Sequence, residues 1–550
     1  MSKKIVQPIS GILLVVVGVL VGFKIKAYTP ADEPNKLSLQ DNLRKFETVV
    51  RQVRSNYFEE VDVTDMVENA IVGMLDGLDP HTFYIPPPDM KAISEQMRGS
   101  FEGIGIEFNI MEDTLLVVTP ISGGPSEKLG IMPGDRIIKV EGENVAGIGL
   151  SNRDVVEMLR GEKGTVVSVT IYRPGMEEFL EFDIERDKIP LNSVDFAYMP
   201  TEDIGYIKVN RFSETTMQEF MEKLYELKEQ GMRNLILDLR NNPGGYLEMA
   251  QMMADMFLEK GQMIVYTEGR IPESNKKYVA TSRFKEFEEG GLIVLINQGS
   301  ASASEIVSGS VQDHDRGLII GNRSFGKGLV QQQYQLVDGS AIRVVISRYF
   351  TPAGRCIQKP FNEDSEDYNR EIWERFESGE LFSADSIKFP DSLKYKTDHG
   401  RVVYGGGGIM PDVFIPADTS GRSDYLEKLI TKNLLRQFAF RYSESHDLKS
   451  EYANGMDFAD NYEPDQATLD EFIGFSEERG VEYDEQGYTA SLKVIKQNLK
   501  ALIGRQLYGD EGFYPSLHVY DPAMQKALNL MPDAVKLAET GEFSYSSSAR

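Results

Sequence analysis

Leu292-Ile293-Val294-Leu295-Ile296-Asn297-Gln298-Gly299-Ser300-Ala301-Ser302-Ala303-Ser304 is the stretch on which the fold turns. Five consecutive apolar residues, too few for a helix and closed by Asn-Gln-Gly, predict a strand buried on both faces. After the turn, Ala303, Ile306, Val307 and Val311 recur at helical spacing. Strand, glycine turn and helix in that order make one unit of an α/β layer. Leu235 to Leu239, the turn Arg240-Asn241-Asn242-Pro243-Gly244-Gly245 and an amphipathic run from Tyr246 to Leu258 repeat the plan upstream. A serine at such a turn stands at the carboxyl edge of a sheet. Helix-start N–H groups beside it can stabilise developing negative charge. The plainer alternative is that the three serines only cap the helix, and the turn alone does not decide.

Around this layer the texture changes several times. Residues 38–95 predict helices, one with apolar positions at Leu43, Phe46, Val49, Val50 and Val53 and one with Met66, Ile71 and Met74. Residues 96–186 alternate short β-like runs with glycines, interrupted by one helix near Ser151–Arg160. The α/β pattern fills about 190–358, and 360–400 reads as a polar, charged and aromatic insertion. The tail, 423–550, is mostly helical. At the other end Lys3 and Lys4 precede an aliphatic run from Ile9 to Phe23, followed by Lys24. That order reads as an export address in residues 1–27, an uncleaved anchor being favoured over a signal peptide because no small-x-small site follows. The body is then expected outside the cytoplasm, in the periplasm or cell envelope.

Composition removes several classes of function. At 550 residues the chain needs more than one core. With 59 basic against 86 acidic residues, a net charge of −27 repels phosphate and argues against nucleic acid as a partner. The single cysteine, Cys356, excludes an intrachain disulfide and cysteine-based metal sites, and five scattered histidines include no pair at metal-ligand spacing. No metal site and no cofactor is expected.

A serine nucleophile needs a base. His314 lies twelve residues into the helix that opens at Ser302, roughly 18 Å along its axis, and the other histidines suit no better. Lys327, in Ser324-Phe325-Gly326-Lys327-Gly328-Leu329-Val330-Gln331, has glycine and apolar neighbours. Desolvation there lowers a lysine from its ordinary value of about 10.4 toward neutrality, and a neutral amine can take the serine proton. Taken alone, Lys327 reads more readily as a solvated loop lysine. Gln331 would stand about 13 Å away in an extended strand, so a contact with Lys327 requires a bend at the glycines. Two decoys fail. Gly321 to Lys327 fits GxxxxGK but lacks the next hydroxyl and runs into a strand, and Ser282-Arg283-Phe284-Lys285 fits SxxK without its companion motifs.

Five ordered segments now resemble the carboxyl-terminal processing (tail-specific) serine protease family. They are Asp238 to Gly245, Gly299-Ser300-Ala301-Ser302-Ala303-Ser304-Glu305-Ile306, Phe325 to Gln331, Tyr349-Phe350-Thr351-Pro352-Ala353-Gly354-Arg355 and Gly408-Ile409-Met410-Pro411-Asp412-Val413. The resemblance implies a multidomain α+β fold: N-terminal helices, a PDZ-like β-rich domain (96–186), an α/β protease core of strand–turn–helix units (190–416) to which 38–95 contributes, and a helical C-terminal region. It implies Ser302 as nucleophile, Lys327 as base and Gln331 as the residue orienting it. The oxyanion donors would be Ala303 and a glycine of the 243–245 turn, Gly244 before Gly245. In the PDZ-like domain, the loop Gly103, Ile104, Gly105 and Ile106 would bind a substrate's terminal carboxylate, with Ile104, Ile106, Val155 and Leu159 selecting side chains. Partners are then protein substrates held by their C-terminal tails, with the membrane met through the N-terminal segment. The tail beyond 423 has three readings: a homo-oligomer contact, a cover over the active site, or a seat for an accessory protein. A non-catalytic peptide-binding scaffold is the rival from another class, and a partner-activated zymogen a third.

Overall fold

The computed structural model describes residues 37–543 apart from 112, 122, 282, 362–364, 388 and 419–420. The export address and Ser282 of the SxxK decoy lie outside the described residues. Among those described, no helix is long and apolar enough to cross a membrane.

Two compact units divide at Gly77. In the first, helix Leu39–Asn56 is capped by Ser38 and helix Val63–Asp76 by Asp62. The longer helix buries none of its residues, and Leu39, Leu43, Phe46 and Val49 are exposed.

The second unit is organised by a six-stranded sheet in the order Val194–Tyr198, Ile204–Val209, Asn234–Asp238, Leu292–Ile296, Leu318–Gly321, Val413–Phe414. Its first pair is antiparallel and the rest parallel. A parallel sheet must be covered twice, and the alternation of side chains shows how. Leu235, Leu237, Val294 and Ile296 face helices Thr216–Glu229, Leu247–Asp255 and Ala303–Asp313. Ile236, Ile293, Leu295 and Ile320 face Met524, Ala527, Met531 and Leu537 of helix Pro522–Thr540. The end of the tail therefore covers the second face of the large sheet, a role outside the three readings the sequence left open.

The rest of the tail, from Asp424–Thr431 to Asp510–His518, packs helices about a core of its own that includes Leu429, Phe438, Phe472 and Leu499. Upstream, a β-rich domain orders its main strands Ile106–Met111, Thr114–Pro120, Arg136–Val140, Val166–Tyr172, Leu180–Glu185, all antiparallel. Helix Asn152–Leu159 packs on this sheet with Val155 and Leu159 in its core, its start fixed by reciprocal bonds between Ser151 and Asp154. Arg505 of the tail reaches Glu107 in the domain's first strand at 3.3 Å.

A smaller sheet carries the lysine loop. Strand Leu329–Gln335 pairs antiparallel with Ala341–Phe350, and the latter also pairs with Phe83–Ile85 and Met263–Glu268. The 360–400 insertion contributes helix Ser365–Glu377.

Candidate active site

The two glycine turns meet at the edge of the large sheet and are sewn together. Asn297 Oδ1 accepts the Asn241 N–H (2.8 Å), and Ala301 N donates to Asn242 O (2.9 Å). Within the Ser-Ala-Ser-Ala-Ser run the hydroxyls part ways. Ser300 Oγ donates to Leu239 O (2.8 Å) and Ser304 Oγ to Asn242 O (2.9 Å), both fully buried. Ser302 Oγ donates to no carbonyl among the described residues, and its side chain is half-buried. Its backbone sits at φ 55°, ψ −110°, a conformation that costs an L-residue on the order of 1–3 kcal/mol. The two outer serines hold the turn, and the middle one is presented under strain.

Ser302 opens helix Ala303–Asp313, so the Ala303 N–H has no partner in the helix and none elsewhere among the described residues. Facing it, Gly244 stands at φ +99°, where a Cβ would meet Ser302 Cβ at 2.8 Å and Ala303 N at 3.0 Å. Only glycine lets the turn come this close. The preference for Gly244 as a donor meets an obstacle, because its N–H is already given to Asn242 Oδ1 (2.9 Å). The Gly245 N–H carries no bond among the described residues, since the neighbouring bridge to Phe212 uses Gly244 O and Tyr246 N.

The lysine loop reaches the same place. A bulge between Val330 and Gln331 bends the strand, and Lys327 Nζ donates to Gln331 Oε1 at 2.8 Å. The irregularity lies at Val330/Gln331, past the glycines where the bend was expected. Gln331 Nε2 in turn donates to His81 O, which draws the Asp79-Pro80-His81-Thr82 segment into the site. Burial, reinforced by the charge of Arg343 and opposed by that of Glu305, lowers the Lys327 amine to about 8. His81 is lowered to about 4 by burial and then by Lys327, and its Nε2 lies 2.8 Å from Tyr368 Oη. His314 is engaged elsewhere, with Asp398 Oδ2 and Met263 O, each at 2.7 Å.

The residue that the sequence reading quoted without a role is Glu305. Fully buried, its Oε2 accepts the N–H groups of Ser302 (2.8 Å) and Lys327 (2.9 Å), while Oε1 accepts Gly326 N (2.7 Å) and Ser324 Oγ. One carboxylate thus fastens the serine turn to the lysine loop. Burial pushes its carboxyl up despite these donors. Tyr349 Oη adds a second clasp, donating to Ser302 O (3.1 Å) and Lys327 O (2.6 Å). Arg375 of the insertion helix closes the back of the loop, giving N–H groups to Ser324 O (2.8 Å) and Phe325 O (3.1 Å). At the other turn, Asp238 binds Arg240, Lys208 and Tyr206, and Arg240 continues to Asp521 of the tail. Burial would raise the Asp238 carboxyl, but Arg240 and Lys208 hold it well below the usual carboxylate range.

In the β-rich domain a cavity of about 110 Å³ is lined by Gly103, Ile104, Gly105, Ile106 and Leu159, together with Phe108 and Val156. Val155 does not line it. It is fully buried in the domain core, because neighbouring helical residues point about 100° apart and the groove faces the next position. Among the described residues, no group of acidic, histidine or cysteine side chains could hold a metal ion.

Comparison with known proteins fits this architecture. The profile of peptidase family S41 matches residues 203–366, that of the PDZ domain 116–173, and that of the activating protease CtpB N-terminal domain 24–87. The chain is 38% identical over 328 residues to a carboxy-terminal-processing protease of Bartonella bacilliformis, spanning 59% of this chain and 74% of that one. The chain belongs to the carboxy-terminal-processing serine proteases of peptidase family S41. Carboxy-terminal processing protease CtpA of Bacillus subtilis is 35% identical over 57% of this chain and 66% of its own. Among solved structures, a photosystem II D1 C-terminal processing protease is 28% identical over 69% of this chain and 88% of that one. Its TM-score of 0.34 supports no argument about arrangement. The helical tail matches a family of unknown function at 425–509. This S41 protease is thus a serine-type peptidase with a PDZ domain.

Proposed function

We propose that this S41 protease cleaves proteins with a Ser302–Lys327 dyad after its PDZ domain takes hold of their C-terminal tails. The observation that carries the reading is the shared carboxylate of Glu305, which binds the backbone of both Ser302 and Lys327. Neutral Lys327 accepts the Ser302 proton as Oγ attacks the peptide carbonyl. Lys327 Nζ rests on Gln331 Oε1, which aims it, and the bond to Ser302 Oγ forms in the reacting complex. The Ala303 and Gly245 N–H groups, both without partners among the described residues, receive the oxyanion. Protonated Lys327 then returns the proton to the leaving amine, and water repeats the cycle on the acyl-enzyme. Upstream, the Gly103–Ile106 loop binds a terminal carboxylate while the chain adds to strand Ile106–Met111 as a further strand. The apolar cavity beside Ile104 and Leu159 selects the last side chain. The charged start and aliphatic run of Lys3–Phe23 support reading that segment as an export address and anchor, and with it a site of work in the cell envelope.

Proteolysis of an unstructured, tail-bearing substrate tests the reading. Ser302→Ala and Lys327→Ala are expected to lose activity, with binding of a C-terminal peptide retained. Full activity in either variant refutes the dyad, and a chelator is expected to leave the rate unchanged.

A further inference from the structure

We propose that a cavity beside strand Leu329–Gln335 receives a neutral substrate side chain next to the cut and sets this protease's sequence preference. The cavity has about 160 Å³, the space of about five waters and enough for one side chain of medium size. Its wall includes Val330 and Gln332 of that strand, Ile346 and Ser347 of the partner strand, and Thr267 and Tyr278.

The inference rests on the reading of Ser302 and Lys327 as the reacting pair, and the backbone places the cavity beside them. Ser347 precedes Tyr349 by two residues, so their side chains share one face about 7 Å apart, and Tyr349 Oη is bonded to the carbonyls of Ser302 and Lys327. At the Val330/Gln331 bulge one residue turns to the cavity and the next to Lys327. Among the described residues, strand Leu329–Gln335 pairs only with Ala341–Phe350, which leaves its outer edge to an extended chain. Side chains of such a chain alternate, bringing one over the cavity within two residues of the bond at Ser302.

The lining states what it accepts. Ser347 is 5% exposed, and its Oγ is enclosed, without a hydrogen-bond partner and without surface open to the cavity, so it offers an occupant no polar group. The Thr267 hydroxyl is already spent, donating to Ser274 O and accepting from Lys276 N. Glu273 and Lys276 in the lining carry opposite charges, so the cavity favours neither sign of charge, while Val330, Ile346, Ile271 and Tyr278 offer apolar surface to a neutral occupant. A neutral, apolar side chain of medium size fits.

The test uses full-length enzyme and unstructured substrates that share one C-terminal tail and vary in the two residues on each side of the cut. At one position wild type is expected to favour leucine over alanine about tenfold in kcat/KM, from the extra apolar surface buried. Gln332→Trp, which plugs the mouth, brings that ratio to about one, and Val330→Ala, which enlarges the cavity, raises the phenylalanine-to-leucine ratio about threefold. Each ratio is taken within one variant, so a loss of folded protein cancels. Wild-type ratios in both variants, or a wild-type preference for lysine or glutamate at that position, overturn the subsite. Ser302→Ala is assayed in parallel, where surviving cleavage overturns the dyad instead.

Discussion

Ser302 and Lys327 do chemistry only if the amine is uncharged, and this fixes the pH dependence. With Lys327 near 8, about a tenth of the enzyme is competent at pH 7. The expected kcat/KM rises tenfold per pH unit below that value and levels above it. Arg343 is one cause of the lowering, so Arg343→Gln is expected to move the midpoint to higher pH, read from the same profile. Glu305→Gln makes a different prediction. An amide cannot accept at both ends, so two of the four donors on Glu305 lose their partner, each at about 1–3 kcal/mol. The expected result is a kcat at least a hundredfold lower and a reduced thermal midpoint, measured side by side. As candidates, the serine and lysine could be picked out because each sits in a short, glycine-marked stretch with its own local geometry. Glu305 could not, since an acid in the first turn of a helix reads as a cap and its other donors lie 19 to 22 residues away. The choice between Gly244 and Gly245 likewise depended on one side-chain bond, from Gly244 N to Asn242, that no spacing reveals.

At the level of elements, the 360–400 insertion supports the base. Helix Ser365–Glu377 holds the lysine loop through Arg375, whose Nε also pairs with Glu371 at 2.6 Å. Breaking a buried pair of this kind costs roughly 3–5 kcal/mol. Arg375→Met is therefore expected to lower the thermal midpoint and kcat together, while leaving the affinity of the PDZ domain for a C-terminal peptide unchanged. Calorimetry and peptide titration on one preparation check both halves. Sequence marked these residues as an insertion because their composition differs from the layer, but composition carries no information about which loop they brace. The PDZ helix is the converse case. Its limits were read to within a residue, yet the step from Val155 to Val156 exchanges core for groove, and periodicity alone does not assign the phase.

Across the whole molecule, the unforeseen feature is the helix Pro522–Thr540 on the second face of the sheet. The strands announced that both faces are buried, but not that the second cover lies more than 200 residues downstream of Leu292–Ile296. Met531→Asp places a charge against Ile293 and Leu295 and is expected to unfold the protease core by several kcal/mol, read as loss of the cooperative thermal transition. A chain ending near Pro416 would lack the helix altogether. Its inactivity would report an uncovered sheet and say nothing about an inhibitory tail.

That helix also sets a clock on biosynthesis. When Ser302 and Lys327 leave the ribosome, nearly two hundred residues remain to be made before Met524 to Leu537 can roof the strands beneath them. Until then the sheet lies open on one side, and a nascent chain is expected to gain proteolytic activity only once translation has passed residue 540, which release of the chain at successive lengths would check.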